Sequence, residues 1–193
     1  RQRQMCIRDS CHRYGMSINE YLVATYVWSI YKECLRGMTS DRAIRAAVPV
    51  NLRPYFDSIT TKNFFVMVSA EFAPQKNEYT FAEILAITKD SLRAQINKEH
   101  LEKIFSYNVS NELMVVARAV PLFLKNLAMR LVYTQSALAN TTTVTNIGNI
   151  KVEKVYEPYI QTVHSFLSFS KGQSLKATIT SYQDTCLLYT SDA

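Results

Sequence analysis

The first clear pattern is Ser17-Ile18-Asn19-Glu20, where a serine hydroxyl and a glutamate three residues on can each bond the other's main chain. It predicts a helix running to about Arg36 and stopped by Gly37. Apolar and aromatic residues fill most positions from Tyr21 to Leu35, so this helix is expected to be central and covered on most sides. The stretch Ala43 to Leu52 is rich in Val, Ile and Ala and reads as a strand, with Pro49 placing it at a sheet edge or a bulge. From Asn63 to Phe72 the residues Phe64, Val66, Val68, Ala70 and Phe72 alternate with Phe65, Met67, Ser69 and Glu71. Both sets are fairly apolar, which predicts a strand packed on two sides.

A second capping box, Thr80-Phe81-Ala82-Glu83, opens an amphipathic helix to about Lys98. Leu101 to Val120 continues helical with a break near Tyr107 to Ser110, and Pro121 opens another helix to about Leu138, where proline is tolerated. The pattern then returns to strands at Thr141 to Thr145, Ile160 to Phe169 and Ser174 to Tyr182. The last two are expected to form a hairpin through Lys171-Gly172-Gln173. Helix, two strands, several helices and three strands make one α/β layer structure with a mixed β-sheet.

Composition narrows the class. With 193 residues, 48% hydrophobic and 20% charged, the chain can bury a sizeable core, and 4 Gly and 5 Pro leave little room for linkers. The net charge of +6 is dispersed, apart from Arg1, Arg3 and Arg8, without a basic stripe interleaved with aromatics, so nucleic-acid binding is not indicated. Cys6, Cys11, Cys34 and Cys186 show no paired spacing and follow no secretory signal, which fits a reducing compartment. Ile18 to Leu35 is interrupted by Asn19, Glu20, Lys32 and Glu33, so no stretch spans a bilayer; the reading is a soluble, cytoplasmic protein. Residues 1–10 and 186–193 resemble translated sequencing-adapter tails and are set aside as non-native, leaving 11–185 as an authentic segment cut at both ends.

The most informative chemistry is Val48-Pro49-Val50-Asn51-Leu52-Arg53-Pro54, followed by Asn63-Phe64-Phe65. An arginine between Leu52 and Pro54 at the end of an apolar strand is expected to be partly buried, and its charge then requires a carboxylate or several carbonyls. Glu71, Asp57 and Glu78 are local candidates for a structural ion pair, and a ligand is the other option. Thr143-Val144-Thr145-Asn146-Ile147-Gly148-Asn149 offers hydroxyls, amides and a glycine, which suits either a ligand channel or a plain strand and turn. No nucleophile-base pair, metal-ligand spacing or phosphate loop accompanies them. His12, His100 and His164 have no convincing general-base setting, although His164 could face a cavity. Cys34 lacks cationic neighbours, and Met67, Met114 and Met129 read as core filler.

Together, V-P-V-N-L-R-P-Y-F, T-T-K-N-F-F and T-N-I-G-N-I-K-V resemble the C-terminal half of the CoA-dependent acyltransferase superfamily. That superfamily includes chloramphenicol acetyltransferase, wax ester synthases, alcohol acetyltransferases and the condensation domains of nonribosomal peptide synthetases. The resemblance implies a chloramphenicol acetyltransferase-like half: a mixed β-sheet packed with helices, forming the C-terminal subdomain of a two-half enzyme with a tunnel between its halves. It implies a general base in an H-H-x-x-x-D-G motif of the first half, whose aspartate pairs with an arginine of the second. By its motif that arginine is Arg53, while Asn51, Asn63, Asn146 and Gly148 line or brace the tunnel. H-H-x-x-x-D-G does not occur in the 193 residues. The resemblance therefore implies a fragment that is inactive alone, with no bound cofactor, whose partners are its N-terminal half, an acyl-CoA or acyl carrier protein as donor, and an alcohol or amine acceptor. The alternatives are a noncatalytic docking module of the same fold and a self-sufficient small binding protein.

Overall fold

The computed structural model describes residues 2–113, 120–168, 175–183 and 185–191, without the side chains of 2–6, 111–113, 136–138 and 191. Five helices are described, α1 (Gln2–Arg13), α2 (Ile18–Leu35), α3 (Phe81–Gln95), α4 (Lys98–Leu113) and α5 (Leu122–Ala139), with a 3-10 turn at Glu157–Tyr159. The strands are β1 (Ile44–Asn51), β2 (Phe65–Phe72), β3 (Thr142–Ile150), β4 (Lys176–Tyr182) and β5 (Thr185–Ser191). They form one mixed sheet in the order β2-β1-β3-β4-β5, with β1, β3 and β4 parallel and β2 and β5 antiparallel at the edges.

Both capping boxes form. Ser17 accepts from the Glu20 amide at 3.2 Å while Glu20 accepts from the Ser17 amide at 2.7 Å, and Thr80 and Glu83 repeat the exchange before α3. α2 ends with Arg36 at φ 51° and Gly37 at φ 78°, a left-handed turn that glycine adopts without a Cβ penalty. As the sequence leads one to expect, no residue from Tyr21 to Tyr31 is fully exposed.

α2 and α3 lie together over β1 and β2. Val23, Val27 and Tyr31 of α2 meet Val48, Val68 and Phe72 of the sheet and Ile84 and Leu92 of α3. Full burial of such a side chain contributes roughly 1.5–3 kcal/mol. The Tyr31 hydroxyl donates to Gly37 O at 2.6 Å and accepts from the Tyr79 amide at 3.3 Å, so one buried phenol ties α2 to both loops at this end. At the other end of α2, Arg93 of α3 donates to Glu20 through Nε at 2.7 Å and Nη2 at 3.2 Å, and to Gly15 O at 3.0 Å. Gln95 covers the outer edge of β2 by bonding both Ser69 N–H, at 3.2 Å, and Ser69 O, at 2.7 Å.

Several expectations are corrected. β1 is internal, not an edge strand, and tolerates Pro49 for a local reason. Leu52 N–H donates to Phe64 O at 3.0 Å, whereas Arg45 bonds Thr141 through both its N–H and its carbonyl. Odd-numbered β1 residues thus direct their main chain toward β3, and the N–H that Pro49 lacks falls on that side. The β1–β3 ladder stops at Ala47↔Thr143, one residue earlier on that side. β2 is covered on one face alone: Val66, Val68, Ala70 and Phe72 are buried, while Phe65, Met67 and Glu71 are exposed. Met67 and Met129 are therefore not core filler, and Met114 lies outside the described residues. α4 passes through Tyr107 to Ser110 unbroken, as no Gly or Pro interrupts it.

The expected hairpin of Ile160–Phe169 with Ser174–Tyr182 does not form across the described residues. β4 already has β3 on one side and β5 on the other, so 161–168 has no ladder position there and crosses the sheet face instead. Ser165 Oγ bonds the hydroxyls of Thr178 and Thr180. Residues 169–174 lie outside the described residues, and the segments set aside on sequence hold most of α1 and β5.

Candidate functional site

Because β1, β3 and β4 are parallel, their carboxyl ends share one end of the sheet, where β2 begins. Open α/β sheets place ligands at this end. The topology gathers Asn51, Arg53, Asn63, Asn146 and Gly148 there, but in two groups.

The first group is the connection from β1 to β2. β1 ends at Asn51, Leu52 turns inward to full burial, and Arg53 is thereby turned outward. The expectation of a partly buried Arg53 is corrected: it is exposed. Asn51 Oδ1 accepts from the Arg53 amide at 3.1 Å. The Arg53 guanidinium donates through Nη2 to Thr60 O at 3.2 Å and Lys62 O at 2.9 Å. None of the local acids expected for it is its partner: Glu71 pairs with Arg45 at 3.1 Å, and Asp57 and Glu78 form no ion pair with Arg53 among the described residues. Two short turns aim the carbonyls, with the Thr60 amide on Ser58 Oγ at 3.3 Å and the Lys62 amide on Thr60 Oγ1 at 3.2 Å. The sequence reading missed these partners. Their signal was the Ser58-x-Thr60-x-Lys62 spacing, which favours hydroxyl-to-amide turns. Asn63 stands exposed next to Lys62.

The second group is on β3. The threonine strand does not end at Asn146; it continues to Ile150 through a bulge, since Asn146 pairs with Ile179 but Gly148 with Thr180. Asn146 Oδ1 accepts from the Gly148 amide at 2.9 Å, and Gly148 has φ 79°. A side chain there would be strained by conformation and not by space, for nothing lies within 4 Å of its missing Cβ. Asn146 and Gly148 line a concavity of about 170 Å³ with Ile18 and Leu22 of α2 and Ile179 of β4, closed by Ile7 and Cys186 from the two end segments. Arg53, Asn51 and Asn63 do not line it. The five residues thus share a sheet end but not one cavity.

Between the groups, β1 and β3 have no mutual ladder beyond Ala47 and Thr143, so Pro49 and the β3 bulge together split the carboxyl end of the sheet. Beside this split the face away from α2 is open, with Phe65 48% and Met67 43% exposed.

His164 is exposed and stacks on Phe166 at 6.2 Å, and His100 is half-buried at the start of α4, its amide bonded to Asn97. Burial pushes the Cys11 thiol up, away from a reactive thiolate. No cluster of three or more His, Cys, Asp or Glu residues among the described residues could hold a metal ion, and no described helix is long and apolar enough to cross a membrane.

No protein-family model matches the chain, and no curated protein matches it. Solved structures do match. The nonribosomal peptide synthetase FmoA3 aligns with 100% of this chain at 20% identity and a TM-score of 0.57, and its AMPPNP-bound form with 97% at 22% and 0.55. Each match takes up 18% of that chain. The first condensation domain of the CDA synthetase aligns with 95% of this chain at 12% identity and a TM-score of 0.51, and the match takes up 35% of its length. The chain therefore has the fold of part of a nonribosomal peptide synthetase condensation domain, of the chloramphenicol acetyltransferase-like type, and spans well under half the length of the proteins it matches.

Proposed function

We propose that the chain is the C-terminal part of a condensation-type acyltransferase, which moves an acyl group from a thioester of CoA or a carrier protein to an alcohol or amine. The observation that carries this reading is Arg53, a cation fixed by two carbonyls at the carboxyl end of the sheet with no acidic partner among the described residues. The condensation-domain fold and the V-P-V-N-L-R-P run support it. In the complete enzyme the remaining guanidinium N–H groups meet the aspartate of an H-H-x-x-x-D-G motif on the other half. The second histidine of that motif takes the proton of the acceptor hydroxyl or amine; the acceptor attacks the thioester carbonyl, the C–S bond breaks, and the thiolate leaves and is protonated. Asn51 holds the main chain of Arg53, and Asn63, Asn146 and Gly148 line or brace the tunnel. The acyl donor is a substrate, and the 193 residues alone do not turn over.

Adding the preceding coding sequence tests this. An H-H-x-x-x-D-G upstream, and cleavage of acyl-CoA thioesters in the presence of an alcohol or amine panel, are the expected results. A complete upstream half without the motif would leave a noncatalytic docking module instead. In the completed protein Arg53→Ala is expected to lower stability by about 3 kcal/mol, through an orphaned buried carboxylate, and to reduce turnover. Unchanged melting and turnover would remove the pairing.

A further inference from the structure

α5 has the wrong surface for its surroundings. Within Leu122–Ala139, Phe123 is 71% exposed, Leu131 63% and Val132 58%, and Leu122, Leu127 and Tyr133 are likewise exposed. On an ideal helix Phe123, Leu131 and Val132 point roughly 100°, 180° and 280° away from Leu122, so apolar side chains stand in every quadrant. Asn126, Arg130 and Thr134 keep to a strip roughly 80° wide, Lys125 and Gln135 stand apart from it, and the helix has no acidic residue, so the polar face is narrow and apolar side chains take most of the circumference. A helix apolar over most of its circumference is an interior helix.

We propose that α5 is an interior helix of the completed condensation-type domain, enclosed on more than one side by polypeptide that this chain does not contain. The inference rests on the reading in the preceding subsection and adds to it a partner surface away from the Arg53 cluster. Three observations choose this occupant. α5 does not qualify as a bilayer span, and with a polar strip only roughly 80° wide and two cations it lacks the strongly charged face of a helix that lies along a membrane surface. A symmetric pairing of two copies through α5 would cover one stripe of each helix and leave the rest in water. The matched condensation domain, by contrast, has most of its length outside the 35% that corresponds to this chain. The C-terminal end of α5 is also anchored to the open sheet face, where Ser69 Oγ and Asn140 Oδ1 are 2.8 Å apart and Thr141 N–H donates to Arg45 O at 2.9 Å.

The test is thiol labelling of a Leu127→Cys variant, read peptide by peptide, in the 193-residue chain and in the protein completed with its upstream half. At least tenfold slower labelling in the completed protein is expected. Equal labelling in both overturns the proposal, as does protection of the isolated chain that grows with its own concentration or appears on adding anionic phospholipid vesicles. Should the variant not fold, amide hydrogen exchange across Leu122–Ala139 in the unsubstituted completed protein gives the same answer: fast exchange throughout overturns the proposal. Neither readout depends on turnover. A protected α5 in a protein without transferase activity defeats the proposed reaction alone, and an exposed α5 in an active enzyme defeats this inference alone.

Discussion

α3 and α5 are helices of similar length that meet opposite fates. α3 opens on a capping box and carries one buried stripe, the apolar Ile84, Leu85 and Leu92 with Thr88 among them, packed against α2 and the sheet. α5 opens on Pro121, with no side-chain cap, and is apolar over most of its circumference, yet its large apolar side chains stand in water. The difference lies in where the partner is. A stripe is satisfied by one neighbouring layer, and this chain contains that layer. A cylinder needs several neighbours, and the described residues leave its large apolar side chains exposed.

The sharpest way to break this comparison is to delete the same side chain from both helices. In the 193-residue chain Leu92→Ala is expected to cost about 3 kcal/mol in urea unfolding, and Leu127→Ala less than about 0.5 kcal/mol. In the completed protein Leu127→Ala should approach the cost of Leu92→Ala. A large effect of Leu127→Ala in the isolated chain would mean that α5 already has its neighbours.

Next in size is Tyr31→Phe, which keeps the ring between Phe72 and Tyr79 but removes the bonds to Gly37 O and the Tyr79 amide. A loss of about 2 kcal/mol by thermal melting is expected, because the Tyr79 amide is left without its partner, whereas Gly37 O keeps the Glu78 N–H at 3.1 Å. No change would show that the α2 side of the molecule does not depend on this phenol.

The smallest effect concerns acid. Burial pushes the Glu20 carboxyl up, but the bonds from Arg93 and from the Ser17 amide and hydroxyl outweigh it and hold the carboxyl below its ordinary value. A carboxylate depressed in the folded state adds stability above its unfolded pKa, near 4.5, and loses it as pH falls through the lower folded value. Melting followed from pH 6 down to pH 3 should therefore fall less steeply for Arg93→Ala than for the unsubstituted chain. The exposed carboxyl of Glu83, held at about 2 by Lys76 and by the Thr80 amide and hydroxyl, should still carry its charge at pH 3. Equal slopes would mean that the link from α2 to α3 makes no contribution to acid sensitivity.

Local signals were legible wherever their partners are local. The two capping boxes, the Gly37 stop, β1, β2 and the helix after Pro121 each depend on residues within a few positions, and each is found where the pattern places it. Signals with distant partners misled. Ile160–Phe169 alternates like a strand, but β3 and β5 already hold both edges of β4. Pro49 pointed to an edge strand, whereas only one side of β1 loses its ladder. At the candidate site, residue types and sheet end were readable from V-P-V-N-L-R-P and T-N-I-G-N. The carbonyl partners of Arg53 and the separation of Arg53 from Asn146 were not.

What the order of residues determined by itself is the set of helices and strands whose caps, stops and periodicity act over one or two turns of chain, together with a mixed α/β class. The tertiary structure alone decided that β1 lies inside the sheet, that Arg53 turns outward onto Thr60 and Lys62, and that the carboxyl end of the sheet splits between β1 and β3. The reason is physical. Capping and periodicity are short-range energies written in neighbouring residues, whereas pairing order, burial and exposure depend on which distant surfaces meet, and one chain's local pattern does not encode that.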